Sequence, residues 1–312
     1  MRLLLTGGGT GGHVNPALAI ASTFEEKHPD AEIYFAASAL PSDKAGDLVP
    51  RAGYKLYTVH IRGVRRPVFH PVNIRLPFYM LRSRREARQI IKEVRPDLIV
   101  GTGGYACWPL VREGIAMGIP TAVHESNALP GKAIRRLSRK VDRVLINFPE
   151  TAGRLGLKEG DGRTLRVGNP HMAGFATVDR ATARAQLGLT DKDTYILSFG
   201  GSLGAEYVND AVVRLCKEAI LPRGDVRILH AAGKRDFDRT LCNLRDSGAG
   251  NCERVKLVDY IYDMPVQMAA ADLVISRAGA MSISELALMG KAAILVPSPY
   301  VAEQHQLKNA MA

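Results

Sequence analysis

The sequence predicts an α/β protein made of two doubly wound, Rossmann-like domains whose parallel sheets face each other across a cleft. Three observations carry this. Short β-rich apolar runs alternate with helix-period segments, the pattern of a parallel sheet covered on both faces. The order strand, glycine turn, helix opens the chain at Arg2 and opens it again at Thr194. And 312 residues exceed what one core usually serves, about 150 per domain.

Taken in order, residues 2–6 read as a short buried strand and 14–27 as a helix with Ala17, Leu18, Ile20, Ala21 and Phe24 inward. Segments 32–36, 55–59, 97–100, 120–123 and 143–146 read as the next strands. The stretch 165–170, ending Gly168-Asn169-Pro170, reads as a linker, which puts the first domain at 1–167 and the second at 168–312. The second series is a strand over 194–199, a glycine turn over 200–205 and a helix over 206–220. Strands over 226–230, 253–257, 272–275 and 292–296 follow. Residues 303–312 read as the start of a helix, with Leu307 and Met311 on one face. The second domain is therefore expected to be truncated at its C-terminal end.

Hydrophobic content of 46 % and charged content of 23 % exclude a disordered or fibrous chain. Thirty glycines against one tryptophan point to close backbone approaches of the kind phosphate sites need. A net charge of +11 suits phosphorylated substrates or anionic lipid. The four cysteines, Cys107, Cys216, Cys242 and Cys252, show no C-x-x-C spacing, so reduced thiols in a cytosol are expected. No run reaches the ~20 apolar residues of a spanning helix. The Leu3–Leu5 run meets Gly7 too soon for a signal peptide.

The candidate sites cluster at strand ends. Gly7-Gly8-Gly9-Thr10-Gly11-Gly12-His13 satisfies G-x-G-x-x-G, yet the second strand ends Tyr34-Phe35-Ala36-Ala37-Ser38 without the acid a dinucleotide ribose needs. His13 and Val14 stand where an NTPase phosphate loop has Lys and Ser/Thr. What remains is an anion site at a helix N-terminus. His13 is its titratable side chain, suited to general-base work and equally to helix positioning. Gly101-Thr102-Gly103-Gly104-Tyr105 and His124-Glu125-Ser126-Asn127 follow later strands and should share that edge. In the second half, the turn 200–205 resembles a phosphate cradle. The segment Ser276 to Glu285 places free amides near Ala280, Met281 and Ser282. Glu285 would accept from ribose hydroxyls or complement the helix dipole. Asp191-Lys192-Asp193 precedes a strand and reads as a loop, so no metal site is expected. Between Arg62 and Arg95, ten basic residues against Glu86 and Glu93 give a local charge of +8, interleaved with Phe69, Phe78, Tyr79 and Leu81. That mixture suits an anionic membrane surface better than nucleic acid.

These motifs, in order over the whole chain, resemble the MurG family, the family 28 transferases that make lipid II for bacterial peptidoglycan. The resemblance implies a GT-B fold, inversion at the anomeric carbon, no metal or other cofactor, and peripheral attachment at the cytoplasmic membrane face. It implies N-acetylglucosamine transfer from UDP-N-acetylglucosamine to the muramyl C4 hydroxyl of lipid I. Cell-wall and division proteins, tied to cell shape and the cell cycle, are the implied further partners. By the same resemblance Ser202 and its loop hold the diphosphate, Ile261 the uracil through its backbone, and Ala280, Met281 and Ser282 phosphate or nucleotide. Glu285 takes the ribose and Gln306 sugar hydroxyls. Asn127, Thr10, Gly11 and Gly12 meet the transferred sugar or the acceptor diphosphate. His13 is the base, with Glu125 as second catalytic candidate and Tyr105 nearby. One departure is that the arginine expected two residues after the linker Asn-Pro is Met172 here. Related readings within the fold are a diacylglycerol glycosyltransferase, a UDP-sugar 2-epimerase or a non-catalytic UDP-sugar-binding fragment.

Overall fold

A computed structural model of the chain describes residues 1–9, 11–63, 74–201, 204–299, 301 and 304–312. It divides into two compact units, Met1–Met172 and Ala173–Ala312.

The first unit holds a seven-stranded parallel sheet. Its strands are β1 (Arg2–Gly7), β2 (Glu32–Ser38), β3 (Lys55–Val59), β4 (Leu98–Gly103), β5 (Thr121–Glu125), β6 (Arg143–Ile146) and β7 (Thr164–Arg166), in the spatial order β3-β2-β1-β4-β5-β6-β7. The helices are α1 (Gly11–Lys27), α2 (Ala45–Arg51), α3 (Leu76–Val94), α4 (Gly104–Ala116), α5 (Lys132–Leu137) and α6 (Pro149–Leu155). Strand alternation sorts the core: Leu3 and Leu5 of β1 pack with Val14, Ala17 and Ala21 of α1 and Val49 of α2. Leu4, between them, packs with Ile90 and Ile91 of α3 and Leu110 of α4 on the other face. The chain reverses its direction of growth between β1 and β4, so the turns after these two strands lead to opposite faces and leave a crevice at their carboxyl ends.

The second unit repeats the plan with five parallel strands, β8 (Thr194–Phe199), β9 (Val226–Ala231), β10 (Val255–Val258), β11 (Leu273–Ser276) and β12 (Ala293–Leu295), ordered β10-β9-β8-β11-β12. Its helices are α7 (Gly174–Thr177), α8 (Arg180–Gln186), α9 (Glu206–Leu215), α10 (Phe237–Asp246), α11 (Met264–Ala270), α12 (Ala280–Leu288) and α13 (His305–Met311). Here the switch falls between β8 and β11, the strands that precede the 200–204 turn and the Ser276–Ala280 segment.

The two parallel α/β units match the fold class read from the sequence, and the differences are local. Helix α1 starts at Gly11, three residues earlier than periodicity placed it, because the glycines after the turn themselves adopt helical dihedrals. Ile20 and Phe24 pack at the rim of the core, while Val14, Pro16 and Ala19 join its buried face. Part of the segment read as linker is the edge strand β7, too short at three residues for any period to show. The expected 206–220 helix becomes a π-helical turn at Cys216–Ile220. Asp193 lies at the amino end of β8, away from the carboxyl rim. There it accepts from Thr190 N and Oγ1 and pairs with Arg227 at 2.7 Å, bonds that hold its carboxyl well below the usual range.

Candidate functional site

In the first unit the two switch-point turns pack against each other. His13, in the first turn of α1, places Nδ1 3.1 Å from the carbonyl oxygen of Thr102, and Thr102 Oγ1 donates back to the His13 carbonyl at 2.7 Å. A carbonyl only accepts, so Nδ1 donates, and in the neutral ring the lone pair stands on Nε2. The imidazole lies against Gly103, whose φ is +107° and where a Cβ would stand 2.6 Å from Nδ1. Gly104 likewise abuts the Gly8 carbonyl. Part of the glycine content thus serves close packing around His13. The Asp43 carboxylate is buried directly behind Gly8, where it accepts from Ser38 N and Ala45 N. Gly11 and Gly12 open α1 at the surface, and Tyr105, 52 % exposed, opens α4 beside them at the same strand ends. Thr10 lies outside the described residues.

Substituting Gly103 by alanine is expected to cost about 1–3 kcal/mol of stability from backbone strain and to lower turnover by displacing the ring. Thermal unfolding and steady-state assays of Gly103→Ala read both effects; an unchanged midpoint would contradict the packing described.

The 124–127 segment, at the end of β5, divides its labour. His124 is fully buried, bonded through Nε2 to the Gly168 carbonyl at 2.9 Å, and burial pushes its imidazole down to about 4. It is a neutral tie between β5 and the end of the unit. Glu125 is also buried. Its Oε1 accepts from Asn127 N and Nδ2 at 2.9 and 3.0 Å, and its Oε2 from Gly131 N at 2.8 Å. These bonds shape the loop that presents Asn127. His171 sits half-buried past the linker, and burial holds it below its usual range, which makes it a poor cation for phosphates. Met172 is 50 % exposed.

In the second unit, Gly279 precedes α12 with extended backbone and makes no side-chain cap bond to the helix start. Ala280 and Met281 are buried, and Ser282 is half-buried behind them. Glu285 lies one turn further on, and burial alone pushes its carboxyl up to about 7. No described residue hydrogen-bonds or ion-pairs with it, so among the described residues it is a shielded carboxyl whose acceptors are untaken. Arg277, half-buried at the end of β11, and Arg235, which pairs with Asp236 at 2.9 Å, supply cations at this rim. Ile261 buries its side chain in the core, and its backbone lies in the loop after β10. Gln306 spends Oε1 on Ser298 N at 2.7 Å, which leaves its amide NH₂ as the donor it can offer a sugar. Ser202 lies outside the described residues.

Residues 64–73 of the basic segment also lie outside the described residues, Arg65, Arg66 and Phe69 among them. The remainder is α3, which buries Ala87, Ile90, Ile91 and Val94 and exposes Ile74 (just before it), Phe78 and Leu81. Arg84 and Arg88 pair with Glu113 of α4, which is 1 % exposed. Arg82 pairs with Glu86. A groove of about 330 Å³ between α3 and α4 is lined by Pro77, Met80, Leu81, Arg84, Trp108 and Arg112. No helix among the described residues is long and apolar enough to cross a membrane.

Comparison with known proteins gives concordant matches. Residues 3–146 match the glycosyltransferase family 28 N-terminal domain and residues 195–312 the family 28 C-terminal domain. A relative from Acetivibrio thermocellus, named UDP-N-acetylglucosamine--N-acetylmuramyl-(pentapeptide) pyrophosphoryl-undecaprenol N-acetylglucosamine transferase, is 38 % identical over 312 residues, 100 % of this chain and 82 % of its own. A relative of the same name from Exiguobacterium sp. is 38 % identical over 317 residues, 100 % of this chain and 84 % of its own. Among solved structures, MurG of Acinetobacter baumannii superposes with a TM-score of 0.68 at 28 % identity, over 99 % of this chain and 82 % of that one. A UDP-GlcNAc 2-epimerase from Neisseria meningitidis reaches 0.65 at 12 % identity over 100 % of this chain and 86 % of that one, a likeness of fold alone.

Proposed function

The chain belongs to glycosyltransferase family 28. From that premise we propose that it transfers N-acetylglucosamine from UDP-N-acetylglucosamine to the muramyl C4 hydroxyl of lipid I, undecaprenyl-pyrophosphoryl-N-acetylmuramyl-pentapeptide. The relatives' name supplies the substrates. The structural observation that carries the reading is Glu285, a shielded carboxyl whose acceptors no described residue takes, one turn inside α12, whose N-cap makes no side-chain bond. Such a group suits two vicinal hydroxyls beside a diphosphate.

His13 Nε2 takes the proton of the C4 hydroxyl as its oxygen attacks the anomeric carbon. The new O–C1 bond forms as the bond from C1 to the phosphate oxygen breaks, with inversion, and UDP leaves. The charge growing on the diphosphate is met by the glycine turn after β8, with Ser202 in the role the resemblance gives it, and by the start of α12 at Ala280, Met281 and Ser282, since oriented backbone dipoles stabilise developing negative charge. Arg277 and Arg235 add positive charge where Met172 cannot. Asp236, beside Gly204, is committed to Arg235, and Glu285 is assigned to the ribose; we assign no metal to the step. Ile261 reads the uracil by its backbone and Gln306 donates to a sugar hydroxyl. Asn127, held by Glu125, faces the transferred sugar or the acceptor diphosphate with Thr10, Gly11, Gly12 and Tyr105.

Transfer of labelled sugar from UDP-N-acetylglucosamine, with lipid I and diacylglycerol offered in parallel, tests the reading. Label in the lipid I product alone is expected; label in diacylglycerol alone, or in neither, contradicts it.

The acceptor is a lipid, and the exposed apolar residues and arginines of α3 fit attachment to the anionic cytoplasmic membrane face. Arg75 and Arg85 are exposed and no described carboxylate pairs with them, whereas Arg84 supports buried Glu113. Replacing Arg75 and Arg85 by glutamate should weaken binding to anionic vesicles by about tenfold or more, at ~1 kcal/mol per basic residue near the surface, with thermal stability kept. Arg84→Ala should lower stability instead. Vesicle cosedimentation unmoved by the double change would remove the surface from this role.

A further inference from the structure

The second unit contains a buried polar chain that the mechanism above does not use. Ser198 on β8, Asn209 on α9 and His230 on β9 are each at most 1 % exposed. His230 places Nε2 3.0 Å from Asn209 Oδ1 and Nδ1 3.1 Å from Ser198 Oγ. Asn209 Nδ2 donates at 3.1 Å to the Ala232 carbonyl. That carbonyl fixes the amide, turning its oxygen toward the ring, so Nε2 donates and Nδ1 accepts from the Ser198 hydroxyl. Every donor points the same way, from Ser198 to His230 to Asn209 to Ala232. Burial pushes the imidazole down to about 4, which keeps the ring in the neutral form this order requires.

The chain of bonds ends on the atom against which the glycine turn closes. Gly204 has φ +82°, and a Cβ there would collide with the Ala232 carbonyl oxygen and come within 3.1 Å of Asp236 Oδ2. Asn209 also donates its main-chain N–H to Ala205 at 2.9 Å, so one residue ties the start of α9 and the loop after β9 to the same turn. Buried polar groups are costly unless satisfied, and a fully satisfied network selects one arrangement of the backbone that carries it.

We propose that His230, acting through Asn209 and the Ala232 carbonyl, is a positioning residue that holds Gly204 and Ala205, where the glycine turn meets α9, in place to receive the donor diphosphate. The inference rests on the donor-site reading above, and His230 itself touches no substrate. It predicts a defect confined to the phosphates.

Affinities for UDP and for uridine, measured by titration on the parent chain and on His230→Leu, test it. In His230→Leu, UDP should bind roughly tenfold or more weakly, the scale of one lost buried hydrogen bond, while uridine binds as before. His230→Gln, whose amide can still donate to Asn209, should recover part of the loss. Unchanged UDP affinity, or equal losses for UDP and uridine, would overturn the proposal. Should His230→Leu fail to fold, Asn209→Asp, which sets a carboxylate against the Ala232 carbonyl, and Ser198→Ala take its place. The same UDP-specific loss supports the proposal there, and its absence overturns it. A parent chain that binds neither ligand contradicts the donor-site reading itself, a result distinct from any difference among the variants.

Discussion

His13→Ala lowers turnover by ~10²–10⁴, the usual contribution of a positioned base, and leaves UDP affinity within about twofold, inside the ordinary spread of a surface substitution. The expectation follows from two bonds. The Thr102 carbonyl accepts a hydrogen bond from Nδ1–H, which in the neutral ring directs basicity to Nε2, and Thr102 Oγ1 donates to the His13 carbonyl. Removal of the ring takes away a proton acceptor, and both bonds described for His13 are to Thr102 of the same unit. Steady-state turnover with lipid I, together with UDP titration, separates the two effects. Turnover equal to the parent's would take His13 out of the proton transfer; a large loss of UDP affinity would mean that it acts on the donor.

Glu285→Ala should weaken UDP by about 10- to 100-fold, the range for hydrogen bonds to a charged group, and should weaken the UDP-sugar equally, because the ribose is common to both. Its pH dependence has a defined sign. Burial pushes the carboxyl up to about 7, so the acceptor form is lost as pH falls through neutrality, and UDP affinity in the parent should decline on the acid side of that point. Stability runs the other way. Between the ordinary glutamate value of 4.5 and about 7 the folded chain holds a proton that the unfolded chain releases, so this group's contribution to stability falls as pH rises through that window. Glu285→Gln should therefore bind UDP poorly and yet unfold at a higher temperature than the parent at pH 8. A variant with parental UDP affinity at pH 8 would refute the ribose assignment.

Both expectations begin with residues visible in the sequence, and their supporting partners were not. The restart at Thr194 and the glycine turn after each leading strand are local patterns, so the two-unit plan was legible. The orientation of His13 depends on Thr102, 89 positions away, and becomes apparent only once β4 lies beside β1. Asp43 sits in a loop with no period, and only the fold brings it behind Gly8. Glu125 is a second catalytic candidate by the family resemblance alone. Its bond to Gly131, across a turn whose shape no propensity specifies, shows it organising the loop. The segment 165–170 reads as a linker because it lies between the two strand series and ends Gly168-Asn169-Pro170. Pairing with β6 makes a strand of its first residues, an edge effect that three residues cannot announce.

The central claim is that the glycine turn after β8 and the start of α12, rather than a bound cation, neutralise the departing diphosphate. The direct measurement is the initial rate of N-acetylglucosamine transfer to lipid I after exhaustive treatment with chelator, with and without added magnesium. The rate should be the same in both and equal to that of the untreated protein. Loss of transfer in chelator that magnesium restores would contradict the claim.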